Sequence, residues 1–392
     1  MQGGTRMQRT IFDDDHEAFR DSCRTFVDRR LRPQQEKHIA NHEFGREMWL
    51  ELGKQDLLGL NIPAEYGGAG ADDPRFSMVL AEELSKLAFA YSSCVGIHAD
   101  CVAPYLVDLC TEEQKQRWLP KFCTGELLTA IAMTEPSGGS DLANLKTTAV
   151  RDGGSDGEGG WILNGSKTFI TNGYSADLVV VAARTSPEKK ARGITLFAVE
   201  TGMPGLERGR KLDKIGQPES DTAELFFADV RVPAANVIGE VDQGFIYLME
   251  RLVAERIGAA VSNIAHARQI LDETIAYVKE RQAFGQPIGS FQANKHKLAE
   301  LVTQCEVTQA FVDACVMQQV DKSLSAVDAA KAKWWSAEVQ NSVLDACVQL
   351  WGGYGYMNEY RVARAWTDAR VTRIWAGSNE IMKELIGRDL GL

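Results

Sequence analysis

No uninterrupted apolar stretch in this chain approaches the roughly 20 residues needed to span a bilayer, so no membrane insertion is expected. The eight cysteines, at 23, 94, 101, 110, 123, 305, 315 and 347, include no C-x-x-C pair. That pattern argues against a zinc site or a disulfide framework and for reduced, mostly buried thiols. It fits a cytosol-like compartment, and the bacterial cytoplasm is expected rather than the mitochondrial matrix. Positive charge is in deficit, with 43 Lys and Arg against 54 Asp and Glu, a net charge of −11. Nucleic acid and anionic membrane surfaces are therefore poor candidates for the main partner, although a local basic patch could hold a phosphorylated ligand. The N-terminus lacks a secretory apolar region, and Met1 to Met7 reads as a plain start rather than a targeting peptide. No repeat relates the two ends of the chain.

With 392 residues there is room for two or three packed units. Periodicity divides the chain into 1–127, helical; 128–240, β-rich; and 241–392, helical. Phe12, Phe19, Phe26 and Val27 recur near helical spacing, and Thr111-Glu112-Glu113-Gln114 has the form of a capping box. Pro63 and Tyr66-Gly67-Gly68-Ala69-Gly70 break the first part into two helical groups. In the middle part, Trp161 to Leu163, then Asn164-Gly165, then Ser166 to Thr171 reads as a hairpin with a tight Asn-Gly turn. Leu178–Ala183, Ile194–Val199 and Leu225–Val232 are further strand candidates, and Asp152–Gly160 reads as an exposed loop. Long helical patterns then cover Gly244–Arg281, Phe291–Val320 and Ser325–Leu350.

Chemistry concentrates in a few stretches. Ile131-Ala132-Met133-Thr134-Glu135-Pro136-Ser137-Gly138-Gly139-Ser140-Asp141 is an apolar strand that stops at a proline and opens into residues of almost no bulk. Such a turn can present N–H groups and hydroxyls to an anion, and reads equally as a surface turn between strands. Lys167-Thr168-Phe169-Ile170-Thr171-Asn172-Gly173 is a β-branched and aromatic strand, suited to core packing or to stacking on a ring. Arg281-Gln282-Ala283-Phe284-Gly285, with Gln292, carries an arginine that could meet a phosphate in bidentate fashion or simply end a surface helix. Gln349-Leu350-Trp351-Gly352-Gly353-Tyr354-Gly355-Tyr356 reads as a helix end or a close approach to a ligand. Ser92, Ser93 and Gly96 are small enough to leave room for a ligand tail or to permit close helix packing.

Together these segments resemble the acyl-CoA dehydrogenase family, over nearly the whole chain. The resemblance implies an α+β multidomain fold: an N-terminal helical domain, a middle β-barrel-like domain and a C-terminal four-helix bundle. It implies FAD, held by Ile131, Met133, Thr134, Gly139, Ser140, Phe169, Ile170, Thr171, Gln349, Gly352, Gly353, Ser378 and Glu380. Arg281, Phe284 and Gln292 are implied to reach the FAD of a neighbouring subunit, which makes the protein a homo-oligomer, expected to be a tetramer. The implied reaction is α,β-dehydrogenation of an acyl-CoA, with electron-transferring flavoprotein as acceptor and with Ser140, Arg256, Ala376 and Gly377 around the substrate. Gln340-Asn341-Ser342-Val343, Cys347 to Leu350 and Ser378 to Ile386, with Thr222 to Phe227, resemble the long-chain branch and suggest a long or medium-long acyl chain.

One departure matters. The family's common base lies in a tail motif with Glu before Gly-Thr, which here reads Arg373-Ile374-Trp375-Ala376-Gly377-Ser378, and Ala376 cannot accept a proton. Isovaleryl and long-chain members carry the base on a C-terminal-domain helix, directly before an arginine. Counting back from Phe284-Gly285, that position is Glu255, followed by Arg256, with Glu250-Arg251 as a decoy five residues earlier. Loss of the carboxylate at 376 with one present at 255 is a correlated exchange, and burial should raise the pKa of Glu255. The backbone N–H of Ala376 and a flavin ribityl hydroxyl would polarise the thioester carbonyl. An acyl-CoA oxidase, a flavin monooxygenase or a binding protein without chemistry are the rival readings.

Overall fold

A computed structural model describes residues 7–153 and 159–392. All of the Met1–Met7 start but Met7 itself, and the centre of the Asp152–Gly160 loop, lie outside the described residues. The N-terminal helices are α1 (Asp14–Phe26), α2 (Gln35–Asn41), α3 (Arg46–Gly53), α4 (Arg75–Leu87), α5 (Phe89–Gly96), α6 (Ala103–Leu109) and α7 (Glu112–Cys123). The capping box is present: the Thr111 hydroxyl accepts from Gln114 N, and the Gln114 side chain accepts from Thr111 N. Between α5 and α6 the chain runs through a π-helical turn, Ile97–Val102, without leaving the helical path.

The strands are β1 (Thr129–Ala132), β2 (Thr148–Arg151), β3 (Trp161–Thr171), β4 (Leu178–Arg184), β5 (Ile194–Glu200), β6 (Leu206–Lys211), β7 (Thr222–Val232) and β8 (Val237–Ile238). They form one sheet in the order β6-β7-β3-β2-β4-β5-β8, with β1 parallel to β4. Strand β4 explains how the sheet is covered. Its residues alternate between faces, as a strand requires, yet all but the last are buried. Leu178, Val180 and Ala182 pack with Tyr105, Leu106, Trp118 and Phe122 of the helical layer. Val179, Val181 and Ala183 pack inward with Trp161, Phe197 and Leu225.

The expected hairpin at Asn164-Gly165 is not a turn. Trp161–Thr171 is one continuous strand antiparallel to β7, with a bulge between Leu163 and Gly165. Asn164 spends its side chain on the partner strand, donating to Asp229 Oδ1 at 3.0 Å and accepting from Asp229 N at 2.9 Å. Gly165 has φ 145°, and an added Cβ would come within 2.7 Å of Thr147 Cα, so the glycine serves a close backbone approach inside a strand.

The C-terminal part contains α8 (Gly244–Glu280), α9 (Gln292–Val320), α10 (Ala326–Trp351), α11 (Arg361–Ala369) and α12 (Asn379–Asp389). Helices α8, α9 and α10 pack on one another, and α12 lies on α10. Ile264, Ile270, Leu301, Val343, Leu344 and Cys347 fill the space between them. Helix α4 crosses onto α8, which brings the N-terminal helices against the bundle. All eight cysteines are free and seven are buried. Among the described residues no helix is long and apolar enough to cross a membrane, and no group of His, Cys, Asp or Glu is arranged to hold a metal.

Candidate active site

Where the sheet, the N-terminal helices and α8 meet, they enclose a cavity of ≈ 530 Å³. One wall is the strand edge and turn of the opening motif: Ile131, Met133, Thr134, Gly139 and Ser140. A second comes from the end of β3, with Phe169, Ile170 and Thr171. Helix α8 supplies a third through Glu255, Arg256 and the small residues Ala254, Gly258, Ala259 and Ser262. Ala376 and Gly377, in the loop before α12, close the space. Four distant stretches of sequence thus converge on one cavity.

The opening motif is held by a residue overlooked in the sequence. Glu135 lies buried under the turn and accepts from Lys167 Nζ at 2.9 Å and from the backbone N–H of Thr147 at 2.8 Å. It also accepts from Lys146 N, while Lys167 reaches the carbonyl of Met133 at 3.1 Å. Burial pushes the Glu135 carboxyl up, but Lys167 and these N–H groups outweigh that and hold it at about 2. Its signal in the sequence was a Glu inside an apolar strand end and a Lys inside an apolar strand, 32 residues apart. Neither Gly138 nor Gly139 has a positive φ, and their use is lack of bulk: space beside Gly138 is open, and a Cβ on Gly139 would meet Thr134 Cγ2 at 3.3 Å.

Phe169 is held out of the sheet by a second irregularity in the β3–β7 register, between Lys167 and Ile170. It adopts φ 58°, unusual for a bulky residue, and its side chain is 69% exposed at the cavity. Ser92, Ser93 and Gly96 line the cavity as well. Asp100 Oδ2, at 3.7 Å, is the nearest atom to a Cβ added at Gly96, so this small-residue patch leaves room instead of permitting close helix packing.

Glu255 Oε1 is shielded from solvent and has no hydrogen-bond partner among the described residues. Burial pushes this carboxyl up to about 7, against the opposing pull of Arg256, Cys101, Arg251 and Tyr105. The decoy Glu250 is exposed, sits 3.8 Å from Arg251 and does not line the cavity. Arg256 is buried, with Nε lacking a hydrogen-bond partner among the described residues, and burial lowers its pKa while Glu255 raises it. Ala376 has φ 51° and its N–H makes no hydrogen bond within the described residues. The loop is fixed by buried Lys333, whose Nζ donates to Gly377 O at 2.6 Å and to Asn379 Oδ1 at 3.3 Å.

The remaining sequence candidates lie elsewhere. Ser378 caps α12, accepting from Ile381 N at 3.4 Å, and Glu380 is exposed on the first turn of that helix. Arg281, Gly352 and Gly353 share a second pocket, of ≈ 480 Å³, on the outer face of the bundle. There Arg281 stands 5.4 Å from the ring of Tyr354. Phe284 is 96% exposed, and Gln292 and Gln349 are also on the surface.

Comparison with known proteins bears directly on this arrangement. Models of the acyl-CoA dehydrogenase N-terminal, middle and C-terminal domains match residues 13–126, 130–230 and 242–391. The chain belongs to the acyl-CoA dehydrogenase family. It is 47% identical over 388 residues to the mitochondrial long-chain specific acyl-CoA dehydrogenase of Sus scrofa, covering 97% of this chain and 88% of that protein. The crystal structure of acyl-CoA dehydrogenase from Geobacillus kaustophilus superposes with a TM-score of 0.95 at 43% identity, covering 98% of this chain and 100% of that one. A glutaryl-CoA dehydrogenase from Mycobacterium smegmatis, in complex with FADH2, superposes with a TM-score of 0.89 at 27% identity, covering 97% and 95%. As a member of this family the protein is an oxidoreductase, an acyl-CoA dehydrogenase by fold and sequence.

Proposed function

We propose that this enzyme is an FAD-dependent dehydrogenase of long or medium-long acyl-CoA, with Glu255 as the base that removes the α-proton. The observation that carries the reading is the position of Glu255: a carboxylate with its Oε1 shielded and without a hydrogen-bond partner among the described residues, in the same cavity as the strand edge and the Ala376–Gly377 loop. The cavity walls suit the flavin. Ile131, Met133, Phe169 and Ile170 give apolar faces for a ring, and the hydroxyl-bearing Thr134, Ser140 and Thr171 line the same cavity. Bound there, FAD supplies the two-electron acceptor for the substrate β-carbon.

The protein's own groups do the rest. Glu255 accepts the α-proton; its raised pKa brings it toward the pH at which a carboxylate is a useful base. The free N–H of Ala376, aimed by the Lys333 contact to Gly377, is the donor for a thioester carbonyl, whose oxygen gains charge as the proton leaves. The apolar wall and the small residues of α8 exclude water from a long alkyl chain. The free thiols fit a reducing compartment, whether bacterial cytoplasm or mitochondrial matrix.

Anaerobic titration with a long-chain acyl-CoA is expected to bleach the bound flavin, and electron-transferring flavoprotein to restore its colour faster than oxygen does. Rapid reoxidation by oxygen would identify an oxidase. Absence of bleaching by any acyl thioester would favour a binding protein, the reading that Ala376 alone supports.

The outer pocket supports an oligomer. Arg281 and Phe284 do not line their own chain's cavity, and Phe284, Tyr354, Tyr356 and Met357 are all exposed, apolar surface of the kind a partner covers. We propose a homo-tetramer in which Arg281, Phe284 and Gln292 approach a neighbour's FAD, with Gln349, Gly352 and Gly353 on the same face. Phe284→Glu is expected to yield smaller species by sedimentation and at least roughly tenfold weaker FAD binding, since it sets a charge in an apolar contact. Unchanged mass and affinity would contradict this arrangement.

A further inference from the structure

The part of the cavity bordered by α4 and the π-helical turn carries polar groups that an alkyl chain leaves unsatisfied. Asp100 sits in that turn, a wide, irregular form of helix often found where side chains serve a site. Its carboxyl lines the cavity, faces the Ser77 hydroxyl, and makes no ion pair among the described residues. Gln319, on the last turn of α9, lines the same cavity, and its Oε1 is shielded with no hydrogen-bond partner among the described residues. Met78, next to Ser77, packs in one cluster with Val316 and Met317, so the end of α9 comes to the same end of the cavity. The surrounding wall is apolar, with Met78, Ala81, Ile97 and Pro104. A carboxyl in such a place, with only the Ser77 hydroxyl donating to it, is costly unless a ligand adds a further hydrogen bond.

We propose that Asp100, Ser77 and Gln319 form a polar subsite that recognises a hydroxyl group carried on the acyl chain. The proposal rests on the reading of this cavity as the acyl site and names the substrate class more narrowly. A hydroxyl both donates and accepts, which matches the acceptors Asp100 and Gln319 Oε1 together with the Gln319 amide N–H as donor, the Ser77 proton being directed to Asp100. An ammonium only donates, and a second carboxylate would be repelled. Burial pushes the Asp100 carboxyl up to about 7, so near neutral pH it is present in both forms and meets a hydroxyl in either.

The test is calorimetry with the FAD-loaded Glu255→Gln variant, in which binding is read without turnover. Acyl-CoAs of equal length are compared, one plain and the others bearing a hydroxyl at successive chain positions. One position is expected to bind roughly 10–100-fold more tightly than the plain chain, as for a site built to hydrogen-bond a hydroxyl. Adding Asp100→Leu should invert the preference, weakening the hydroxylated chain and strengthening the plain one. If that variant does not fold, Ser77→Ala combined with Asp100→Asn keeps the volumes close and should still cut the preference at least about threefold. Equal binding of plain and hydroxylated chains at every position overturns the subsite and leaves the dehydrogenase reading standing. Failure of every acyl-CoA to bind overturns the acyl-site reading, and the subsite with it.

Discussion

Glu255→Gln is expected to keep its FAD and lose turnover by roughly 10²–10⁴-fold, the loss that follows removal of a positioned base. The amide fills nearly the same volume on α8, so the cavity and the flavin walls, contributed by β1, β3 and the turn after β1, are left intact. What disappears is the only acidic side chain on the α8 wall of the cavity able to take a proton. Stopped-flow bleaching of the flavin by a long-chain acyl-CoA reads this step directly. A rate near that of the parent enzyme would sink the assignment. Adding Ala376→Glu to the same protein should restore part of the rate, because residue 376 lines the same cavity and its neighbour Gly377 lies beside Arg256 of α8. A full loss from Glu255→Gln with no recovery from glutamate at 376 would mean that the two positions do not serve one reacting carbon.

The same carboxylate sets a pH dependence with a definite sign. Only ionised Glu255 accepts a proton, and burial places its pKa at about 7, so kcat/KM should rise with pH and level off above that value. Stability runs the other way. The folded-state pKa lies above the ordinary 4.5, so the folded protein holds the proton more tightly. Its favourable contribution is full below about pH 4.5 and is lost as pH rises through 7. Glu255→Gln should therefore melt at a higher temperature than the parent above pH 7. A carboxylate that costs stability at the pH where the proposed base must be ionised is the usual trade at a working site.

How much of this was readable beforehand depends on how local each signal was. Helices α8, α9 and α10 and strands β4, β5 and β7 stand close to their expected ranges, because an apolar pattern over many residues is fixed by the chain alone. Glu255 could be separated from Glu250 by counting residues; in the structure Glu255 lines the cavity with Oε1 shielded, and Glu250 is exposed outside it. Asn164-Gly165 was misread because the dipeptide that makes a tight turn also makes a bulge; Thr147 and Asp229, both remote in sequence, decide between them. Strands β2 and β6 are too short and polar to stand out, and both depend on longer partners. Asp100 stands in line with Ser93, Gly96 and Pro104 at helical spacing, and nothing local in the sequence tells that this face borders a cavity and not a packed neighbour.

Lys167→Met is expected to destabilise the protein by about 3–5 kcal/mol, the cost of leaving one half of a buried ion pair alone. Both partners are almost completely buried, so neither is screened by water as a surface pair would be. With lysine gone, the Glu135 carboxylate keeps the N–H groups of Lys146 and Thr147 but has no cation, and Met133 O loses its donor. The turn from Pro136 to Ser140 then has one anchor fewer, so FAD affinity should fall along with the urea midpoint. Replacing both residues, as Glu135→Gln with Lys167→Met, should recover part of the stability, because no uncompensated charge remains. The pH test has the opposite sign to that of Glu255. Glu135 is held at about 2 when folded against an ordinary 4.5, so its contribution is present above pH 4.5 and lost as pH falls toward 2. Lysine stays charged throughout that window, so acid sensitivity between about pH 5 and 2 should be smaller in Lys167→Met than in the parent. If Lys167→Met unfolds at the parent's urea concentration and binds FAD as well, the pair does not anchor the turn, and the shape of the cavity's flavin wall must come from β1 and β3 alone.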